Sequence, residues 1–166
     1  MLDTAELTTE DRVLQLEEIE ELRRLKFQYA KALDEITNDE APIEQAAQLF
    51  TDDAEWKCEQ FGEYSGASQL RKFLDEYQTR ISFAVHFVLG EIIDLNEEAD
   101  TASGRWTVWQ PMTKDDTAYV LAGHSYDEYR RENGQWRIQS IDLRLRFLAE
   151  HRRGWAEEQF AESWSW

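Results

Sequence analysis

The chain contains a single cysteine, Cys58, among its 166 residues. One cysteine cannot form an internal disulfide, and Cys58 has no partner at the spacing of a zinc site, so we expect it to fill space in the core. Also missing are a glycine-rich phosphate loop, a nucleophile elbow and a metal-ligand cluster. The sequence therefore gives no support to phosphoryl transfer, hydride transfer or zinc hydrolysis, and we expect neither a cofactor nor a metal.

Long apolar runs and positive charge are scarce as well. No stretch approaches the roughly 20 apolar residues of a membrane span, and the first ten residues do not resemble a signal peptide. The 18 Lys and Arg residues face 35 Asp and Glu residues, which gives a net charge of −17. Nucleic-acid binding requires a basic surface. We therefore expect a cytoplasmic protein that binds neither a membrane nor a nucleic acid.

Aromatic side chains are abundant: they form 13% of the chain, and seven of them are Trp. With 42% hydrophobic residues, this chain length suits one domain with a substantial core, and we take residues 1–166 as that domain. Residues 1–8 are expected to be a flexible arm, and residues 148–166 a C-terminal helix or tail.

The spacing of apolar residues predicts helices first and strands afterwards. Apolar side chains three and four residues apart predict three helices: from Thr9 or Asp11 to about Asn38, Ile43 to Phe50, and Ala67 to about Arg80. Alternating residues predict five strands: 54–59, 82–94, 101–112, 117–132 and 135–147. Asn133-Gly134 is a strong hairpin signal. Helices followed by a mostly antiparallel meander indicate an α+β fold.

Two of the predicted strands are apolar on both faces, so neither side of the sheet can be left fully to water there. One side should hold the helices, and the other should meet a second subunit. We therefore expect a homodimer formed through the sheet.

His86 is the most informative single residue. In the run 82–90, alternation places Ser82, Ala84, His86, Val88 and Gly90 on one side of the strand. Small neighbours around an ionisable ring leave room for another group to approach it. That group is either a ligand or a packed helix.

Tyr29 and Asp34, both on the first helix, are the candidate partners of His86. An Asp that accepts a hydrogen bond from one imidazole nitrogen leaves the other nitrogen as a base, and a Tyr hydroxyl donates to a carbonyl or an oxyanion. The alternative is structural, because Tyr29 and Asp34 lie about 140° apart around a helix. In that case Tyr29 is a core aromatic, Asp34 a solvated helix end and His86 a hydrogen-bonded core histidine.

Further residues are candidates for a substrate pocket. Trp56 and Trp106 are aromatic side chains on strands, where they either line a pocket or pack in the core. Arg146 shares a strand face with Arg144, and it binds an anionic group of the substrate or pairs with nearby carboxylates. For His124 we favour a structural or interface role.

Several segments occur in an order that is characteristic of one family. They are Glu21 to Asp34, Ala47 to Trp56, Gly66 to Leu74, His86, Asp100 to Trp106 and Asn133 to Ile138. This order resembles the SnoaL-like branch of the NTF2-like superfamily, whose members include scytalone dehydratase, bile-acid 7α-dehydratase and steroid Δ-isomerase. The resemblance covers residues 10 to 147.

The resemblance implies a cone-shaped α+β barrel in which a curved sheet wraps around helices and encloses an apolar pocket. It also implies an Asp on the first helix and a His on the strand as catalytic residues, with a Tyr before the Asp in some members. Tyr29, Asp34 and His86 fall on these positions. Three departures concern the dehydratases. Their further polar or acidic residue on the strand after the His strand is replaced by the run Arg105-Trp-Thr-Val108, and Trp56 stands where a Tyr is common. Their second His has no match here unless His124 serves.

The sequence therefore predicts a cofactor-independent lyase or isomerase that acts on a small hydrophobic cyclic molecule through a His–Asp general base. A non-catalytic dimeric binding protein for a small apolar ligand is the alternative. A third possibility is a subunit that only scaffolds an oligomer, since this fold also serves assembly.

Overall fold

The computed structural model describes residues 7–37, 41–96 and 100–152, and these ranges contain three helices and seven strands. The helices are α1 (Thr9–Thr37), α2 (Ile43–Ala47) and α3 (Gly66–Arg80). The strands are β1 (Phe50–Cys58), β2 (Gly62–Ser65), β3 (Ile81–Ala84), β4 (Phe87–Asn96), β5 (Thr101–Lys114), β6 (Thr117–Glu132) and β7 (Gln135–Glu150). The predicted α+β class is confirmed.

The seven strands form one curled sheet in the order β2-β1-β7-β6-β5-β3, and β4 also pairs with β5. All pairs are antiparallel except β1 with β7, which run parallel. The sequence did not indicate this parallel pair, because a contact between the first and last strands leaves no local pattern. It brings β1 beside β7 so that the sheet curves around α1 and α3.

Helix α1 begins one residue after its cap. The hydroxyl of Thr8 accepts a hydrogen bond from the backbone N–H of Asp11 at 3.1 Å, and the Asp11 carboxylate accepts one from the backbone N–H of Thr8 at 2.9 Å. This reciprocal pair satisfies two N–H groups at the helix start. The cap is therefore Thr8, and the predicted caps Thr9 and Asp11 are one and three residues too late.

The predicted strand 82–94 is interrupted at Val85 and His86. Val85 donates its N–H to the carbonyl of Pro111 on β5, but Pro111 has no N–H to return the bond. The N–H of His86 then donates to the side chain of Asp34 on α1 instead of to β5. The ladder therefore divides into β3 and β4, and His86 lies in the gap.

Other boundaries shift by a few residues. Strand β2 forms where only a turn was expected, and α2 is shorter than predicted. Strand β7 continues to Glu150, so residues 148–150 belong to a strand and not to the predicted C-terminal helix or tail. Its residues 153–166, and residues 1–6 of the predicted arm, lie outside the described ranges.

Alternation along the strands separates an inner face from an outer face. On β5, Trp106 and Val108 are buried against the helices, whereas Thr107 and Trp109, which alternate with them, are exposed. Cys58 is buried, as expected. None of the helices in the described ranges combines the length and apolar character that a membrane crossing requires.

Candidate active site

His86 and Asp34 are in direct contact. His86 Nδ1 lies 2.6 Å from Asp34 Oδ1, which also accepts the backbone N–H of His86 at 3.0 Å. A carboxylate can only accept hydrogen bonds, so in the neutral ring Nδ1 carries the proton and Nε2 has the lone pair. The gap between β3 and β4 and the last turns of α1 thus fix the orientation of the ring.

Tyr77 on α3 contacts the other side of the imidazole. Its hydroxyl lies 3.3 Å from His86 Nε2 and accepts a hydrogen bond from Gln110 Nε2 at 2.9 Å. Because Gln110 is the donor in that contact, the proton of Tyr77 is directed to His86 Nε2. Burial, with the charge of Asp34, raises the pKa of Tyr77 well above 10, so the hydroxyl stays protonated. Sequence reasoning missed Tyr77 because it resembles any other residue of the apolar stripe of α3.

Tyr29 lies on the same cavity but makes a different contact. Trp56 Nε1 donates a hydrogen bond to the Tyr29 hydroxyl at 3.0 Å. Burial raises the pKa of Tyr29 well above its ordinary value, so this hydroxyl also stays protonated and keeps its own proton to donate. The ring of Trp56 is stacked on Phe73 with centroids 4.1 Å apart, which holds the indole in place.

These side chains enclose a cavity of about 40 Å³. A cavity of roughly 10–15 Å³ holds one water molecule, so this cavity has room for a compact ligand. Aliphatic and aromatic groups form most of the wall, and Asp34 is not part of it. The residues that line it are Lys26, Tyr29, Ala30, Leu33, Trp56, Phe61, Phe73, Tyr77, His86, Val88, Val108, Gln110, Ser125, Ile141 and Leu143.

The structure therefore brings three of the predicted residues to the cavity: Tyr29, Trp56 and His86. Asp34 reaches His86 from outside the cavity. This agrees with the helical spacing, which places Tyr29 and Asp34 on different faces of α1.

Trp106 and Arg146 do not line this cavity, contrary to the prediction. Trp106 is fully buried in the core beside it, and its Nε1 donates to the Tyr129 hydroxyl at 3.0 Å. Arg146 is exposed, because it alternates with Leu143 and Leu145, which pack against the core, and so lies with exposed Arg144 on the outer face of β7. Alternation placed the two arginines on one face, but it could not show which face of β7 turns to the cavity. Arg146 is also the additional residue of a bulge, since Leu145 and Phe147 pair with the consecutive residues Gly123 and Ala122.

Arg144 pairs with a carboxylate, which is one of the two roles that the sequence suggested for the arginines on this face. Its guanidinium lies 2.7 Å from Asp142 and 4.5 Å from the ring centroid of Tyr126. His124 is opposite Arg144 on β6, away from the cavity. Within the described ranges, no three His, Cys, Asp or Glu side chains cluster as metal ligands would.

A buried ion pair also adjoins the cavity, and sequence reasoning missed it. Lys26 Nζ on α1 lies 2.7 Å from Asp127 Oδ2 on β6 and donates to Ser125 Oγ at 3.1 Å. Asp127 also accepts hydrogen bonds from Ser125 at 2.5 Å and from Tyr129 at 2.8 Å. The sequence pattern could have indicated this pair. Lys26 falls within the apolar stripe of α1, and alternation places Ser125 and Asp127 on the inner face of β6.

The fold and this arrangement define a cone-shaped α+β domain with a His–Asp pair at an apolar cavity. The SnoaL-like domain profile matches residues 14–142, which is most of the chain. The chain belongs to this family, as its sequence predicted.

Solved structures support the NTF2-like fold. One is a protein from Novosphingobium aromaticivorans DSM 12444 that is provisionally named a scytalone dehydratase: it is 24% identical, with 82% of this chain and 89% of that chain covered and a TM-score of 0.72. Another is hexachlorocyclohexane dehydrochlorinase LinA-type3 from Novosphingobium barchaimii LL02. It is 18% identical, with 84% of this chain and 93% of that chain covered and a TM-score of 0.71. A comparison with curated proteins gives no significant match.

Proposed function

We propose that this protein is a cofactor-independent lyase or isomerase that removes a proton from a compact hydrophobic ring compound. The observation that carries the proposal is the 2.6 Å contact between His86 Nδ1 and Asp34, which leaves His86 Nε2 as the base beside an apolar cavity. Family membership and the likeness to a dehydratase and a dehydrochlorinase support the same class of reaction.

In the proposed reaction, His86 Nε2 takes a proton from a carbon next to a carbonyl group, and Asp34 stabilises the resulting imidazolium. The Tyr29 hydroxyl donates to an oxygen of the substrate. The contact between Tyr77 and Nε2 is 3.3 Å long, beyond the usual range for a hydrogen bond from a hydroxyl. A substrate that enters the cavity therefore competes with a weak interaction for the lone pair.

The first step can be tested without knowledge of the complete reaction. The protein is incubated in deuterium oxide with a panel of small ring ketones, and deuterium uptake at carbon is followed by NMR. We expect uptake to fall by at least about 10²-fold in His86→Ala, since general bases contribute 10²–10⁴-fold. The matched control is His151→Ala, which replaces an exposed histidine after β7. Equal uptake by wild type and His86→Ala would contradict the proposal.

The second candidate is a non-catalytic binding protein for a small apolar ligand. It is favoured by one observation, the donation from Tyr77 to the lone pair of His86, which a base must have free. In this case ring compounds bind to the protein, as calorimetry would measure, but no deuterium uptake depends on His86.

A further inference from the structure

The cavity carries a buried ammonium group that the proposed proton transfer does not use. Lys26 is only 2% exposed, and lysine is almost never buried without a partner. Its partner Asp127 is 1% exposed. A buried ion pair is expensive to desolvate, and well-packed apolar side chains of similar size are often as stable. Stability alone therefore does not account for a charge pair at this position.

The ammonium group keeps one N–H donor at the wall of the cavity. Lysine has three N–H groups, and two of them are directed to Asp127 and Ser125. Among the described residues, the third N–H has no hydrogen-bond acceptor, and Lys26 Nζ is 5.3 Å from the ring centroid of Tyr29. Both Lys26 and Ser125 line the cavity.

Asp127 fixes this donor in place. Its carboxylate accepts hydrogen bonds from Lys26, Ser125 and Tyr129, and Trp106 in turn donates to the Tyr129 hydroxyl at 3.0 Å. Tyr129 and Trp106 are fully buried, and the Tyr129 hydroxyl anchors Asp127 Oδ2, the same carboxylate oxygen that contacts Lys26. A donor whose position is set before the ligand arrives is effective at binding an oxygen that gains charge.

We propose that Lys26 Nζ is a binding site for the oxygen of the ligand, and that the ligand is a ring ketone whose carbonyl oxygen accepts the third N–H. This inference deepens the proposed function. The role of Lys26 in the reaction rests on proton removal by His86, whereas its role in ligand binding does not. When His86 Nε2 takes the proton, the C–H electron pair forms a C=C bond, and the carbonyl π pair moves to oxygen. The product is an enolate, whose negative charge Lys26 stabilises.

Lys26 and His86 approach the ligand from different elements of the fold. Lys26 reaches the cavity from α1, whereas His86 reaches it from the break between β3 and β4, and both side chains line it. The carbonyl oxygen and the carbon that loses the proton are therefore held by different parts of the wall. This fixes the orientation of a compact ring in the cavity.

The probe for this site is p-nitrophenol, a single-ring phenol whose anion absorbs visible light and carries its charge on oxygen, as an enolate does. We expect the wild type to bind it and to increase its ionised fraction, seen as a rise in phenolate absorbance. Loss of a charged hydrogen bond is worth about tenfold or more in affinity. We therefore expect Lys26→Met to bind the phenolate at least about tenfold more weakly.

Lys26→Met leaves Asp127 without its ion-pair partner, which can prevent folding, so a second variant is needed. In Lys26→Met/Asp127→Asn both charges are removed. The asparagine oxygen can accept a hydrogen bond from one of the two hydroxyls, Ser125 or Tyr129, and its NH2 group can donate to the other. The matched control is Lys31→Met, since Lys31 is an exposed lysine on the same helix that pairs with Glu35. We expect weak phenolate binding by the double variant and wild-type binding by Lys31→Met.

Two results would overturn this inference. One is the absence of p-nitrophenol binding to the wild type. The other is an absorbance change that persists without Lys26 but disappears in His86→Ala, because the phenolate would then sit at the imidazole. Binding that depends on Lys26 supports the site even if deuterium uptake does not depend on His86, so the two proposals can fail separately.

Discussion

Asp34 Oδ1 accepts two hydrogen bonds from one residue, His86: one from ring Nδ1 at 2.6 Å and one from the backbone N–H at 3.0 Å. The same carboxylate oxygen therefore sets both the tautomer of the ring and the position of its backbone. The backbone N–H is available because Val85 and His86 leave the β5 ladder opposite Pro111. A break in a strand and the end of a helix thus combine to orient one imidazole.

The first prediction concerns the charge of Asp34. Asp34→Asn keeps an oxygen that can accept hydrogen bonds but removes the charge that stabilises the imidazolium. Deuterium uptake into a ring ketone should fall by at least about 10²-fold, within the range of general-base contributions, while the fold is retained in circular dichroism. Glu35→Gln is the matched control, because Glu35 is the next residue and pairs only with Lys31 in the contacts described above. The same loss in both variants would argue against a specific role for Asp34.

The second prediction concerns stability at high pH. Burial raises the pKa of Tyr29, Tyr77 and Tyr129 above the ordinary value of 10. Below pH 10 these hydroxyls are protonated in both the folded and unfolded states, so their contribution to stability is complete. Above pH 10 the unfolded chain loses these protons and the folded chain does not. The free energy of unfolding should then fall by up to about 1.4 kcal/mol per pH unit for each tyrosine.

Urea unfolding between pH 9 and pH 11 measures this slope. Tyr29→Phe removes one of the three groups, so its stability should decline less steeply above pH 10 than that of the wild type. Parallel declines would show that Tyr29 does not contribute to the pH dependence.

Periodicity and residue type accounted for α1, α3 and the long hairpin of β6 and β7, because each is determined by local spacing. The pairing of His86 with Asp34 was predicted from chemistry and from the family resemblance. Three features could be found only in the folded chain: the break at Val85, which depends on Pro111 across the sheet; the bulge at Arg146; and the Lys26–Asp127 pair. Each depends on residues that are at least 26 positions apart or on a local irregularity.

The third prediction tests the bulge between β6 and β7. A Cβ atom at Gly123 would collide with the carbonyl oxygen of Arg144 and lie 2.8 Å from Leu145 Cα. Both are backbone atoms of the paired strand, so they cannot move aside without separation of β6 from β7. Gly123→Ala should therefore lower the free energy of unfolding by about 3 kcal/mol or more.

Gly104→Ala is the comparison for Gly123→Ala. Its Cβ would meet only side-chain atoms, at 2.9 Å from Tyr129 and 3.0 Å from Trp106. Side chains adjust more readily than backbone, so the loss should be smaller, about 1–3 kcal/mol. A larger loss for Gly104→Ala in urea unfolding would contradict this account of the bulge.

The fourth prediction concerns the oligomeric state. We propose that two copies associate through an apolar patch on the outer face of the sheet, whose members are 41–53% exposed: Phe87, Leu89, Ile92, Trp109 and Phe147. Soluble monomers rarely leave contiguous aromatic patches open to water. Exposed Arg144 borders the patch and lowers the repulsion between two chains of net charge −17. The wild type should therefore have twice the monomer mass of 19.7 kDa in light scattering.

Phe147→Glu places a charge within this patch and should give a monomer. Leu16→Glu is the matched control, since Leu16 is a 65% exposed apolar residue on α1, away from the sheet face. It should leave the mass unchanged. A monomeric wild type, or dissociation by Leu16→Glu alone, would rule out this interface.

The fifth prediction separates Tyr29 from the tryptophan that holds it. Trp56 Nε1 donates to the Tyr29 hydroxyl at 3.0 Å, which directs the proton of Tyr29 elsewhere. If that proton reaches the oxygen of the substrate, Tyr29→Phe removes the interaction itself, whereas Trp56→Phe only loosens its geometry. Deuterium uptake should fall by about 10-fold or more in Tyr29→Phe, as expected for the loss of one hydrogen bond, and by less in Trp56→Phe. The double variant should resemble Tyr29→Phe, because Trp56 acts through a hydroxyl that is no longer present. Additive losses would instead show that Trp56 contributes to the wall of the cavity independently of Tyr29.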